Sequence, residues 1–250
     1  MTLLTAGLLT FAVTTALTVA GVGGAFVLIP IFLALGIELH TAMATALLLN
    51  AIATSAASVR YVRSGLVAWS VTLPVLISAT LTSPFGAHIS VNMDRTSLLW
   101  GFVVFLIFAS GMMLLYRPKA RERQISGVAL AGLGVTVGAL AGFVGGLLGV
   151  GGGLLIAPAL VLLGLPPKRA SATSTFAVIF SSLSGFAGHA TLKGMDLPLL
   201  SVTAVGSVSA ALLGSWLMTE RLRGEQIKPL LGVLLLGVAA RIAWTLVYPG

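Results

Sequence analysis

Two glycine clusters are the groups in this chain best placed to do chemistry. GVGGAFVLIP occupies residues 21–30, and its near copy GVGGGLLIAP occupies residues 149–158. Each sets glycines, Gly23 and Gly24 in the first and Gly151 and Gly152 in the second, just before an apolar run that reads as a short helix. Glycine admits unusual dihedrals and a close approach of backbone to ligand. The first N–H groups of a helix lack intrahelical acceptors, and the helix dipole makes that end positive. Such a tip suits an anion. Side chains able to complete the contacts follow at helical spacing: Asn50 and Thr54 after the first copy, Ser174 and Ser181 after the second. Around Asn50 the face reads Ala46, Asn50, Ala53, Thr54, Ala57; the face 128 residues later reads Ser174, Val178, Ser181, Ser182, Gly185. Both are small and hydroxylated, as walls of a shared polar site would be. Asn50 answers only to Val178, so that site would be asymmetric.

Other chemistries fit less well. A dinucleotide fingerprint fails, because no strand precedes either cluster and the third glycine of G-x-G-x-x-G is Phe26 or Leu154. With no cysteine, disulfides, thiolate catalysis and Cys-type metal sites are excluded, and no cofactor is expected. The six acidic residues, Glu38, Asp94, Glu122, Asp196, Glu220 and Glu225, lie at or near loops, which argues against a buried carboxylate proton relay. An intramembrane hydrolase has only Ser184 and His189 to recommend it, and residues five apart point about 140° apart on a helix. His88 and His189 read as satisfied histidines near span ends, and Arg241 as a snorkelling cation or a charge on the anion path. Gly134, Gly138, Gly142 and Gly146, at four-residue spacing, read as close helix packing.

The elements carrying these residues follow from composition. The chain has 250 residues, 58% hydrophobic and 8% charged, with a mean hydropathy of +1.10. Apolar runs this long cannot all be buried in a 25.5 kDa globule, so the fold class is an all-α integral membrane protein. A membrane barrel would show short alternating strands, and none are present. A helix needs about 20 apolar residues to cross the hydrocarbon core. On that ruler spans lie near 41–60, 66–90, 97–116, 169–190, 197–218 and 227–248, with two longer stretches at 3–36 and 125–165. The net charge of +8 resides in short loops, which points to membrane orientation rather than nucleic acid. The first 59 residues hold no Lys or Arg, so a cleavable signal peptide is not expected.

The 128-residue offset extends past the glycine clusters: Leu35-Gly36 maps onto Leu163-Gly164, and Ala42, Ala44 and Thr45 onto Ala170, Ala172 and Thr173. The expected organisation is a first membrane repeat at 1–116, a basic cytoplasmic linker at 117–124, and a second repeat at 125–250. Charge counting sets the orientation of the halves. If 3–36 and 125–165 each cross once, Lys and Arg divide seven against six; if each enters and returns to the same side, the division is eleven against two, with Arg95 and Lys193 on the poor side and Arg241, inside a span, left out of both counts. The positive-inside bias favours the second arrangement. It predicts two inverted repeats, each a Gly-tipped re-entrant helical hairpin plus three transmembrane helices, with both termini extracytoplasmic. All seven Trp and Tyr residues, Tyr61, Trp69, Trp100, Tyr116, Trp216, Trp244 and Tyr248, fall near span ends, as an interfacial belt would.

The stretch AGFVGGLLGVGGGLLIAPALVLLG at 141–164, followed by RASATSTFAV at 169–178, resembles the second-half signature of the TauE/SafE sulfite exporter family. The first-half copy, GVGGAFVLIPIFLALG followed by TAMATALLLNA, extends the resemblance over nearly the whole chain. This chain departs from the pattern at Thr14 and Thr18, which stand where the second half has Gly142 and Gly146. The resemblance implies movement of sulfite or an organosulfonate, such as taurine or sulfoacetate, across the bacterial cytoplasmic membrane.

The expectation is a secondary transporter of a small anion, not an enzyme, alternating access about a midplane site made by Gly23, Gly24, Asn50, Thr54, Gly151, Gly152, Ser174 and Ser181. An anion channel using the same site is the alternative. Its expected partners are the anion and the lipid bilayer, with no metal and no nucleic acid; a homo-oligomer stays open.

Overall fold

The computed structural model describes residues 3–20, 23–115, 127–189, 197–221 and 228–247, and among them every regular element is helical. In the first half these are α1 (Leu3–Ala20), α2 (Ala25–Ala34), α3 (Leu39–Arg63), α4 (Trp69–Val91) and α5 (Arg95–Leu115). The second half holds α6 (Gly127–Leu147), α7 (Gly153–Leu162), α8 (Pro167–His189), α9 (Leu197–Trp216), which continues as a π-helical turn (Leu217–Arg221), and α10 (Lys228–Val247). The expected linker at 117–124 lies outside the described residues.

The two long apolar stretches break where the glycines predicted. Each becomes a long leg, a turn and a ten-residue helix, and α2 and α7 begin and end 128 residues apart. Positive φ values at Gly23 (77°) and Gly151 (74°) put the turns in the left-handed region, where a side chain would strain the backbone.

Helix ends are set by local chemistry. Glu38 caps α3, its carboxylate accepting from the amides of His40 and Thr41 at 3.0 Å each. Burial works to raise the Glu38 pKa, but those amides, the His40 charge and the Thr41 hydroxyl together hold it below the usual glutamate range. Pro167 opens α8 at the first helical position, where a missing N–H costs nothing.

Packing respects the repeat. The glycine-rich leg α6 lies along α4, and its counterpart α1 lies along α9; α3 packs on α8, and α5 on α10. Exchanging the halves leaves this set of neighbours unchanged. Each long leg therefore finds its main partner in the opposite half, so the halves interlock. Gly134, Gly138, Gly142 and Gly146 all face α4, where a Cβ would meet Pro74 and Val75, the backbone of Val75, that of Ala79 and the carbonyl of Ser83 respectively. Backbone contact this close is what small residues permit between membrane helices.

Among the described residues, four helical segments are long and apolar enough to cross a membrane: Leu39–Arg63, Trp69–Val91, Pro167–His189 and Leu200–Arg221. The outer face of α4 exposes Leu73, Ile77, Leu81 and Phe85, one every turn, and α5 exposes Val104, Ile107 and Phe108. A surface of this kind needs lipid rather than water against it. The aromatic belt is only partly as expected. Trp69, Trp100 and Trp244 are exposed, but Tyr61 is fully buried, because its hydroxyl reaches across to the Thr18 carbonyl at 3.0 Å. Tyr116 and Tyr248 lie outside the described residues.

Candidate functional site

Asn50, twelfth residue of the 25-residue α3, stands between the two glycine turns. Its Oδ1 accepts the Gly24 amide at 2.8 Å, and its Nδ2 donates to Ser182 Oγ at 2.9 Å. A Cβ placed on Gly23 would run into Asn50 Oδ1, and one on Gly151 would lie 2.8 Å from Asn50 Nδ2 and against Ser182 Oγ. The two tips thus approach the same carboxamide from opposite halves. α2 and α7 supply the tips, and α3 and α8 hold the side chains around them.

The remaining polar groups fasten the second tip. Ser181 Oγ donates to the Gly151 carbonyl at 2.9 Å, and Ser174 Oγ donates to the Gly153 carbonyl at 3.3 Å. Gly152 backs onto Ala141, whose carbonyl would lie 2.6 Å from a Cβ there. Gly23, Gly24, Asn50, Gly151 and Ser181 are therefore brought together, with Gly152 and Ser174 one step along the α7 tip. Thr54 is not part of the cluster by bonding: its Oγ1 turns back to the Asn50 carbonyl at 2.6 Å, the i−4 bond that a threonine inside a helix favours when no other partner is offered. All the side chains on the two small faces, including Val178, are buried.

Backbone donors remain. Among the described residues no acceptor meets the amides of Ala25 and Phe26 in the first turn of α2, or of Gly153 and Leu154 in the first turn of α7. Ala25 and Phe26 are almost completely buried. An unpaired buried amide is costly, so these tips have capacity for an acceptor that the described residues do not fill.

The ends of the α3–α8 pair differ in charge. Arg60 Nη1 pairs with Glu220 Oε1 at 2.7 Å, and Lys168 Nζ donates to the Thr219 carbonyl at 3.2 Å. The end of α3, the start of α8 and the end of the α9 segment therefore share one extremity. At the other, the rings of His40 and His189 lie 6.3 Å apart. The two equivalent helices run antiparallel.

His189 is no surface histidine. It is buried, its Nε2 lies 2.9 Å from the Gly146 carbonyl, and its Nδ1 has no partner among the described residues. Its counterpart 128 residues earlier is Tyr61, and Gly146 answers to Thr18, so an imidazole and a phenol make the same brace in the two halves. The chain carries no sign of this in residue type. Ser184 Oγ donates to the Thr80 carbonyl at 2.7 Å, away from His189, so the two do not form a nucleophile–base pair. Glu38, Asp94 and Glu220 sit at helix ends as expected; Glu122, Asp196 and Glu225 are outside the described residues, and the structure describes no side chain for Arg241. No group of three or more metal-ligating side chains occurs among the described residues.

The sulfite exporter TauE/SafE family model matches residues 6–242. The chain belongs to that family. The TauE/SafE assignment makes it a multi-pass membrane protein of a transporter family associated with export of sulfite, and it agrees with the apolar helices and their exposed outer faces. No curated protein and no solved structure matches the chain.

Proposed function

We propose that the protein is a secondary transporter of a small sulfur-containing anion, sulfite or an organosulfonate, working across the bacterial cytoplasmic membrane by alternating access about the two glycine tips. One observation carries the reading: two half-helix N-termini, whose buried first-turn amides meet no acceptor among the described residues, flank Asn50 halfway along α3. Oxyanions present several acceptors to such donors, and the dipoles of α2 and α7 favour negative charge there.

The halves, 1–116 and 125–250, act as inverted repeats joined by the linker 117–124. Support comes from the antiparallel course of α3 and α8 and from the clustering of Arg60, Lys168 and Arg221 toward one extremity, which becomes the cytoplasmic side under the positive-inside rule. The glycine tips then reach the membrane middle as re-entrant hairpins, and both termini face outward. In the conformation described, Asn50 occupies the Gly24 donor and ties it to α8 through Ser182. Transport requires an anion oxygen to replace the Asn50 carbonyl there while the repeats rock.

The test is melting of the purified protein in detergent against sulfite, thiosulfate, taurine, sulfoacetate, sulfate, acetate and chloride at matched ionic strength. An anion at a hundred times its dissociation constant stabilises the folded state by about 2.7 kcal/mol. A shift confined to one or two sulfur anions is expected; a flat response to all of them overturns the proposal.

A further inference from the structure

The seam between α1 and α9 differs from its counterpart in a way that bears on the first tip. In the second half, Gly142 of α6 packs on Ala79 of α4. The residues standing in those places in the other seam are Thr14 of α1 and Ser207 of α9. Both are buried, and neither hydroxyl has a partner among the described residues. Thr10, one turn before Thr14, is buried and unpartnered as well. At the equivalent places the α4–α6 seam packs with Gly138, Gly142 and Ala79 instead of these hydroxyls.

Thr14 Oγ1 is directed at the tip. It lies 3.0 Å from where a Cβ on Gly24, the residue capping α2, would sit. Ala25 and Phe26, whose amides meet no acceptor among the described residues, belong to the first turn of that same helix. A buried hydroxyl with no partner among the described residues therefore stands beside the N-terminus of α2.

We propose that Thr14 is a substrate-binding residue, its hydroxyl joining the first-turn amides of α2 to hold an oxygen of the transported sulfur oxyanion, with Ser207 supporting it from α9. This rests on the transporter reading above and extends it. The anion is held mainly by the first tip, since Gly142 can offer the second tip no equivalent donor. Asn50 closes the α3 side of Gly24, and Thr14 faces it from the α1 side.

The experiment compares wild type, Thr14→Val and Thr14→Ser, each titrated with sulfite and with taurine by melting shift, alongside melting without anion. Removing a hydrogen bond to a charged group weakens binding about ten- to a hundredfold. Thr14→Val should show that loss while its anion-free melting temperature stays level or rises, because a buried hydroxyl without a partner is gone. Thr14→Ser, which keeps the hydroxyl, should bind within about threefold of wild type. Wild-type binding by a folded Thr14→Val overturns the inference and leaves the transporter reading standing. Equal loss in both variants, or a lowered anion-free melting point with binding intact, also overturns it, since the methyl group or the fold would then be responsible. A wild type that binds neither these nor any other anion of the panel removes the transporter reading and this inference with it.

Discussion

Gly151→Ala tests whether the second tip is as tightly enclosed as its contacts indicate. Gly151 has φ +74°, and an added Cβ would meet Ser182 Oγ, lie 2.8 Å from Asn50 Nδ2 and 3.4 Å from Val178 Cγ1. Gly36 is a matched control: its φ is +82°, yet nothing lies within 4 Å of its Cβ position. Both alanines bear the left-handed strain of about 1–2 kcal/mol. Only Gly151→Ala adds overpacking, about 1–3 kcal/mol. For a chain this size each kcal/mol lowers the melting temperature by about 2–4 °C, so Gly151→Ala should melt about 2–12 °C below Gly36→Ala. The contact has an identified partner, so Ser182→Ala in the Gly151→Ala background should recover part of the loss, with a coupling of about 0.5 kcal/mol or more. Melting curves of wild type, Gly36→Ala, Gly151→Ala, Ser182→Ala and the Gly151→Ala/Ser182→Ala double variant in one detergent supply the comparison. Coincident melting of Gly151→Ala and Gly36→Ala, or strict additivity with Ser182→Ala, would refute the enclosed tip.

Three further outcomes follow from the same geometry. Asn50→Ala leaves the buried Gly24 amide without its acceptor and should cost about 1–3 kcal/mol, whereas Thr54→Val, which removes only an intrahelical bond, should stay within about 0.5 kcal/mol; a reversed order in melting temperature would contradict the site geometry. Gly146→Ala should destabilise far more than Gly132→Ala, since the first forces the Ser83 backbone away and the second meets nothing within 4 Å; equal melting would remove the close α4–α6 seam. Because Glu38 is held below its usual range in the folded protein, its contribution is present above the ordinary glutamate value of 4.5 and is lost as the pH falls below it; Glu38→Gln should flatten that part of the melting-temperature profile, and an unchanged profile would count against the cap.

Much of the architecture was legible because it is written locally. Hydropathy alone located the long helices, and the glycine clusters marked where two apolar stretches had to break. The offset of 128 residues proved accurate to the residue for α2 and α7. Asn50 was legible as a polar residue mid-span, but its partners were not: Ser182 lies 132 residues away in sequence, and no periodicity connects them. Thr54 illustrates the converse. A hydroxyl on the expected face was assigned to the site, yet its own helix offered the nearer acceptor. Tyr61 and His189 were assigned to the interface by residue type, and each is instead buried as a brace to the long leg of the hairpin in its own half.

By itself, the amino-acid sequence determined that this protein is helical, lies in a membrane and repeats one unit twice, because hydrophobic length, glycine placement and self-similarity are properties of short segments. Only the tertiary structure decided that the legs are exchanged between halves, that Asn50 bonds the first tip and Ser182 beside the second, and that the Thr10, Thr14 and Ser207 hydroxyls have no partner among the described residues where the other seam has glycine and alanine. Those outcomes depend on which side chains meet across more than a hundred residues of chain, and packing distance, not local pattern, selects them.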